Sequence, residues 1–282
     1  MDSVKHEISH VSDTALMVAA ARAVETARPN GLVHDPFAER LAGARGMAIL
    51  QGVDLSGQLT FGIGMRNRFL DALLVETLAE SEADTVLQLG AGLDTRPWRL
   101  DLPRDLRWIE VDFPDMLDYK YARLTETPHC RVERMSADLT DPAGRAEAFA
   151  QAGARTVLIT EGLLMYLPGE TVEAIADCAA QAGVRRWIMD LTSPEFTKGV
   201  GMSAAKAIED VRAANCLDGR ETWDMLHARG WSSLRQRLYT RDVMASAPER
   251  VAELMQARIA AGRPLPGEAP TDDPSGVHVF AR

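Results

Sequence analysis

Two periods alternate along the chain. Short strand-like runs, most apolar at 85–89 (TVLQL) and 156–160 (TVLIT) and more mixed at 106–111 (LRWIEV) and 131–135 (RVERM), are each followed by a stretch with helical spacing or a turn. Apolar runs of this length read as strands buried on both faces, and helices between them make the crossovers of a parallel sheet. Before them, Ala15, Leu16, Ala19, Ala20, Ala23 and Val24 fall at helical spacing, with Ser12 or Asp13 as cap and Pro29-Asn30-Gly31 as the stop. Asp35-Pro36 predicts a second helix to about Ala42, capped by Asp35. The glycine-rich segment 43–64 reads as a loop with a short helix, placed to act as a mobile lid, and 65–79 returns to a helical period.

Further on, Pro114 opens a helix, 169–182 is amphipathic, and 186–191 is a fifth strand with Asp190 near its end. Residues 192–217 look helical without a clean apolar stripe. A helix at 222–229 stops at Gly230, then come a strand at 233–238, a helix at 248–261, a Pro/Gly/Asp-rich loop and a terminal strand at 277–281.

One junction in this pattern carries chemistry. The strand 85–89 runs into Gly90-Ala91-Gly92, and the next strand ends on Glu110 and Asp112. Glycine at a strand's carboxyl end allows a sharp turn and close approach of a ligand, and the helix after it offers free N–H groups. An acid about twenty residues on can accept from ribose hydroxyls, which assigns Glu110 and Asp112 to the ribose of a bound nucleoside, with a strand-end charge pointing to solvent the alternative for Glu110. A merely structural glycine turn is the bland alternative. A dinucleotide site would want a third small residue, whereas this loop continues with Asp94, an anion where phosphates would sit. A ligand cationic at that point, such as S-adenosylmethionine, suits it better. Ligands of doubly wound sheets lie outside the strand ends, which puts Glu161, after 156–160, near the cofactor's ammonium. Tyr166 either borders the methyl-transfer point or belongs to the core.

Hydrophobic residues make up 46% of the 282, enough for a sizeable core, and no linker divides the halves, so 1–282 reads as one domain. The formal net charge of −10 argues against a nucleic-acid partner. Three cysteines without CxxC spacing fit reduced thiols in a cytoplasm, and no His/Cys/Asp cluster suggests a metal. The amino terminus is too polar for a signal peptide and no run approaches a membrane span, so a cytoplasmic protein, monomer or homodimer, is expected.

The strings LQLGAGLDTRPWRL, WIEVDFPDMLDYKYARL and ITEGLLMYLP resemble the leucine carboxyl methyltransferase family, and TALMVAAARAVETARPNGLVHDPFAERLAG is similar to its bacterial natural-product branch. The resemblance covers nearly all of 12–192. It implies a Rossmann-like α/β fold: a doubly wound, mostly parallel seven-stranded sheet with an antiparallel C-terminal strand. A helical cap is expected from 1–64, and a substrate-cap insertion from 192–220. It implies S-adenosylmethionine as cofactor, held by Gly90, Ala91, Gly92, Asp94, Asp112 with Phe113 after it, and Asp138-Leu139 beside the adenine. Asp138 competes for that role with capping the helix after Pro142. Arg66, rather than Arg68, would approach the methionine carboxylate. In the family the amino-terminal region covers the cleft, which makes Thr14, Arg22 and His34 possible pocket residues.

The implied reaction is in-line attack of an acceptor oxygen on the sulfonium methyl. A carboxylate acceptor of a small molecule or peptide, ionised at neutral pH, needs no base; an alcohol would, with His34 or His227 the first suspects. Two alternatives stay open: a nicotinamide-dependent oxidoreductase and a cofactor-binding module without catalysis.

Overall fold

The computed structural model describes residues 11–54, 57–196, 215–260, 262 and 272–282. The elements are α1 (Val11–Thr26), α2 (Ala38–Val53), α3 (Gln58–Glu80), β1 (Thr85–Leu89), α4 (Arg96–Arg99), β2 (Arg107–Asp112), α5 (Pro114–Tyr121), β3 (Arg131–Ser136), α6 (Pro142–Phe149), β4 (Thr156–Thr160) and α7 (Gly169–Gln181). There follow β5 (Arg186–Leu191), α8 (Gly219–Ala228), β6 (Ser232–Leu238), α9 (Val243–Ser246), α10 (Pro248–Ala260) and β7 (Gly276–Ala281). Among the described residues, seven strands form one sheet in the order β3-β2-β1-β4-β5-β7-β6. The first five run parallel, and β7 pairs antiparallel with both β5 and β6. The order reverses between β1 and β4, so the carboxyl ends of these strands form the crevice in which such sheets take ligands.

The physical reason for the central strands is visible in their burial: every residue of β1 and β4 is buried, as helices cover both faces. One face packs with α7 and α8 around Trp187, Trp231 and Phe280. The other packs with α3 around Phe69, Leu70, Leu73 and Trp108. No described helix is long and apolar enough to cross a membrane.

Segment 43–64 differs from the expected loop and lid. It is helical for most of its length, with α2 kinked at Gly43 and α3 beginning at Gln58. Its glycines serve close packing: a Cβ on Gly46 would stand 2.5 Å from the Leu16 carbonyl oxygen, so glycine is what lets α2 lie against α1. The second helix also starts later than Asp35. That residue is fully turned in, accepting from Arg22 Nε at 2.8 Å and Thr95 Oγ1 at 2.7 Å. Arg22 Nη2 donates to the Leu93 carbonyl at 2.6 Å, which bolts α1 to the loop after β1. The Arg22 charge and the Thr95 hydroxyl outweigh burial and hold the Asp35 carboxyl below the usual range. Most of the expected cap insertion at 192–220 lies outside the described residues.

Candidate active site

At the end of β1 the chain turns through Gly90 (φ 64°). A Cβ there would lie 2.8 Å from Leu163 Cδ1, so both conformation and space demand glycine. The Ala91 N–H donates to the Val111 carbonyl, pinning the turn to the end of β2. The Gly92 N–H donates to Asp112 Oδ2 at 2.7 Å, and the Phe113 N–H donates to Oδ1 at 2.7 Å. Asp112 is thereby fixed at the strand tip, with one lone pair per oxygen left for a hydroxyl ligand. Burial raises its pKa, and these two N–H groups work against that rise. The neighbouring Phe113 is 54% exposed, an aromatic face open beside the acid.

Glu110, expected as the other half of the ribose pair, is withdrawn from it. It is fully buried, accepting from Lys120 Nζ at 2.7 Å and from the Tyr121 hydroxyl at 3.0 Å. Both oxygens are committed to α5, so of the two acids only Asp112 remains open at this tip. Asp138 is exposed and accepts the Thr140 N–H and hydroxyl; the cap of α6 is Asp141, which removes capping as the competing role for Asp138. Leu139 is buried in the cluster containing Leu89 and Val111.

The second part of the site is a buried web of charge at the ends of β1, β4 and β5. Arg66, from α3, donates from Nε to Glu161 Oε1 at 2.9 Å and from Nη1 to Asp190 Oδ2 at 3.4 Å. Arg68, by contrast, is exposed. Arg96, wholly buried, donates to Glu161 Oε2 at 2.6 Å, to Asp71 Oδ1 at 2.6 Å and to Asp94 Oδ2. Arg99 adds two bonds to Asp71, and Gln88 donates to Asp94 at 2.6 Å. Asp94 therefore does not face the glycine turn as a bare anion, as the sequence suggests; it is absorbed by Arg96 and Gln88. Burial alone would raise the pKa of Asp94 and Glu161, but the arginine charges outweigh it and hold both low. Asp190 goes the other way: burial raises it, Glu161 adds to the rise, and Arg66 offsets only part. Among the described residues the web links four carboxylates, Asp71, Asp94, Glu161 and Asp190, to three guanidiniums. The surplus carboxylate favours a cationic ligand.

Tyr166 is half-buried in the 3-10 turn Leu164–Tyr166 and close enough to Arg66 to act on its charge. His34 is exposed and has no contact with the web, so the structure does not bring it to the site. Arg22 is a buried clasp rather than a ligand group. Thr14 is buried, its hydroxyl without a partner among the described residues, near Ala15, whose Cβ lies 3.8 Å from where one on Gly92 would stand. Arg96 and Asp190 were missed as site residues by sequence reasoning. The acid-then-arginine spacing of Asp94-Thr95-Arg96 was the available signal for the first. For the second it was the strand-end rule that nominates Glu161.

The family model described as leucine carboxyl methyltransferase matches residues 15–180. A Mycobacteroides abscessus protein is 38% identical over 210 residues, 70% of this chain and 68% of its own length. A Saccharopolyspora erythraea protein is 31% identical over 290 residues, 98% of this chain and 96% of its own. Both carry the name "putative S-adenosyl-L-methionine-dependent methyltransferase". The crystal structure of a "putative methyltransferase" from Thermobifida fusca superposes with a TM-score of 0.61 at 13% identity, covering 99% of this chain and 96% of that one; this likeness speaks to the fold alone. With the family model matching more than half of its length, this chain belongs to the leucine carboxyl methyltransferase family.

Proposed function

We propose that this chain transfers the methyl group of S-adenosylmethionine to a carboxylate oxygen of a small-molecule or peptide natural product. The methyl transfer and the dependence on S-adenosylmethionine come with the family and its relatives. The acceptor oxygen is our reading, taken from the family's description and from the chemistry of the site.

The surplus carboxylate of the web carries the assignment of the cofactor. The residues present fit that molecule: Asp112 offers two fixed acceptors to a pair of hydroxyls, and Phe113 an open ring for a flat base. Glu161 and Asp190 offer negative charge to an ammonium, while Arg66 can take a carboxylate. When bound, S-adenosylmethionine supplies an electrophilic methyl on a sulfonium. The chain's own part is to hold, align and keep water away, a positional contribution that can reach several kcal/mol. An acceptor carboxylate, with an ordinary pKa near about 4, arrives ionised and asks the protein for no proton transfer. Glu161, held low by Arg96 and Arg66, stays a fixed anion rather than a base.

The test is the chemical lability of the product. With cofactor carrying a labelled methyl and a panel of carboxylic acids and free-carboxyl peptides, transferred label should be released as methanol by mild alkali, as from an ester. Label that resists alkali, as an ether or N-methyl would, refutes the carboxylate reading.

A further inference from the structure

Tyr239 follows β6 directly, and its N–H donates to the Ser275 carbonyl at 3.0 Å, which ties it to the edge of β7. Its ring stacks on Phe69 of α3, with centroids 6.1 Å apart and planes 11° from parallel. On another side lies Phe196, at 5.5 Å. Phe69 is one helical turn beyond Arg66, so the phenol is delivered to the same end of the sheet. The hydroxyl is buried and has no hydrogen-bond partner among the described residues. An orphaned buried hydroxyl in a well-packed aromatic stack calls for an explanation, and a ligand atom is one. The charged groups that act on it are Asp190, Arg66 and Glu161, the methionine-end cluster of the site. Arg66 commits Nε and Nη1 to the two carboxylates and makes no hydrogen bond through Nη2 among the described residues.

We propose that the Tyr239 hydroxyl is a second, neutral donor to the carboxylate at the methionine end of the cofactor, beside Arg66, the guanidinium that the family resemblance already brings to it. The inference rests on the cofactor reading above. An α-amino acid carries an ammonium and a carboxylate on one carbon, so its site needs acids and carboxylate donors side by side. Glu161 and Asp190 supply the first, Arg66 Nη2 and Tyr239 the second. Burial, reinforced by Asp190, keeps the phenol protonated, so it can donate throughout the neutral range. Tyr239 is a cofactor-binding residue: its hydroxyl touches the carboxylate and sets where the amino-acid end lies.

Calorimetric titration of wild type and Tyr239→Phe with S-adenosylhomocysteine and with 5′-methylthioadenosine tests this. The second probe keeps the nucleoside and sulfur but lacks the amino acid. The substitution should weaken binding of the first about tenfold and leave the second unchanged. Without ligand, the melting temperature should hold or rise, because the stack is retained and an unpaired hydroxyl is removed. Equal affinity of the two proteins for S-adenosylhomocysteine overturns the proposal, as does equal weakening for both probes or a lower ligand-free melting temperature. Failure of wild type to bind S-adenosylhomocysteine would sink the cofactor reading itself, a result distinct from either.

Discussion

Replacing Arg96 by methionine is the sharpest test of the charge web. The guanidinium is wholly buried and bridges Asp71, Asp94 and Glu161. Asp71 would keep both bonds to Arg99, and Glu161 would keep Arg66. Asp94 alone would lose its only ion-pair partner among the described residues, retaining Gln88 and the residue 96 N–H. The cost is therefore that of one broken buried pair, about 3–5 kcal/mol, not three times that figure. Against a total stability of about 5–15 kcal/mol this is a large fraction, readable as a lower urea midpoint. The pH dependence carries the signature. Asp94 and Glu161 have folded pKa values below the ordinary ones, so their stabilisation is present above the unfolded values and lost as pH falls through the folded ones. In Arg96→Met the abandoned, buried Asp94 protonates readily, so the gap between the proteins is widest at pH 7 and narrows on acidification. A gap below about 1 kcal/mol at pH 7, or one that widens toward pH 5, would refute the reasoning.

Two other outcomes follow from the same geometry. Asp112→Ala should weaken S-adenosylhomocysteine binding by about 1–3 kcal/mol through lost hydroxyl acceptors, and unchanged affinity would remove Asp112 from the site. His278, wholly buried with Nε2 2.6 Å from the Pro274 carbonyl, is pushed down by burial to about 4 from an ordinary 6.5. The folded state cannot take the proton that the unfolded chain takes below pH 6.5, so this residue costs stability progressively down to pH 4, about 3 kcal/mol in all. A His278 ring signal titrating near pH 6.5 in the folded protein by nuclear magnetic resonance would contradict it.

The sequence makes the central parallel strands β1 and β4 legible because burial on both faces writes a nearly continuous apolar run, as in TVLQL and TVLIT. The turn at Gly90 and the acid Asp112 are legible for a related reason, since their roles are local in the chain. What is not legible is which side chains pair with which. Glu110 and Asp112 look equivalent at one strand tip, yet Lys120, ten residues on, claims Glu110. Asp94 looks like an anion presented to a ligand until Arg96 folds back onto it. Segment 43–64 reads as loop because glycine lowers helix propensity, while Gly46 is present so that two helices can touch. Tyr239 lies far from every motif, and only the antiparallel strands bring it to Arg66.

The central claim is that the crevice at the ends of β1, β2, β4 and β5 is a site for S-adenosylmethionine. Parallel calorimetric titration of the purified protein with S-adenosylmethionine, S-adenosylhomocysteine and NADH tests it most directly. Saturable binding of the first two at 1:1 stoichiometry, with no heat from the third, is the predicted result. Binding of NADH alone would contradict the account and require the chemistry of the site to be rebuilt around hydride transfer.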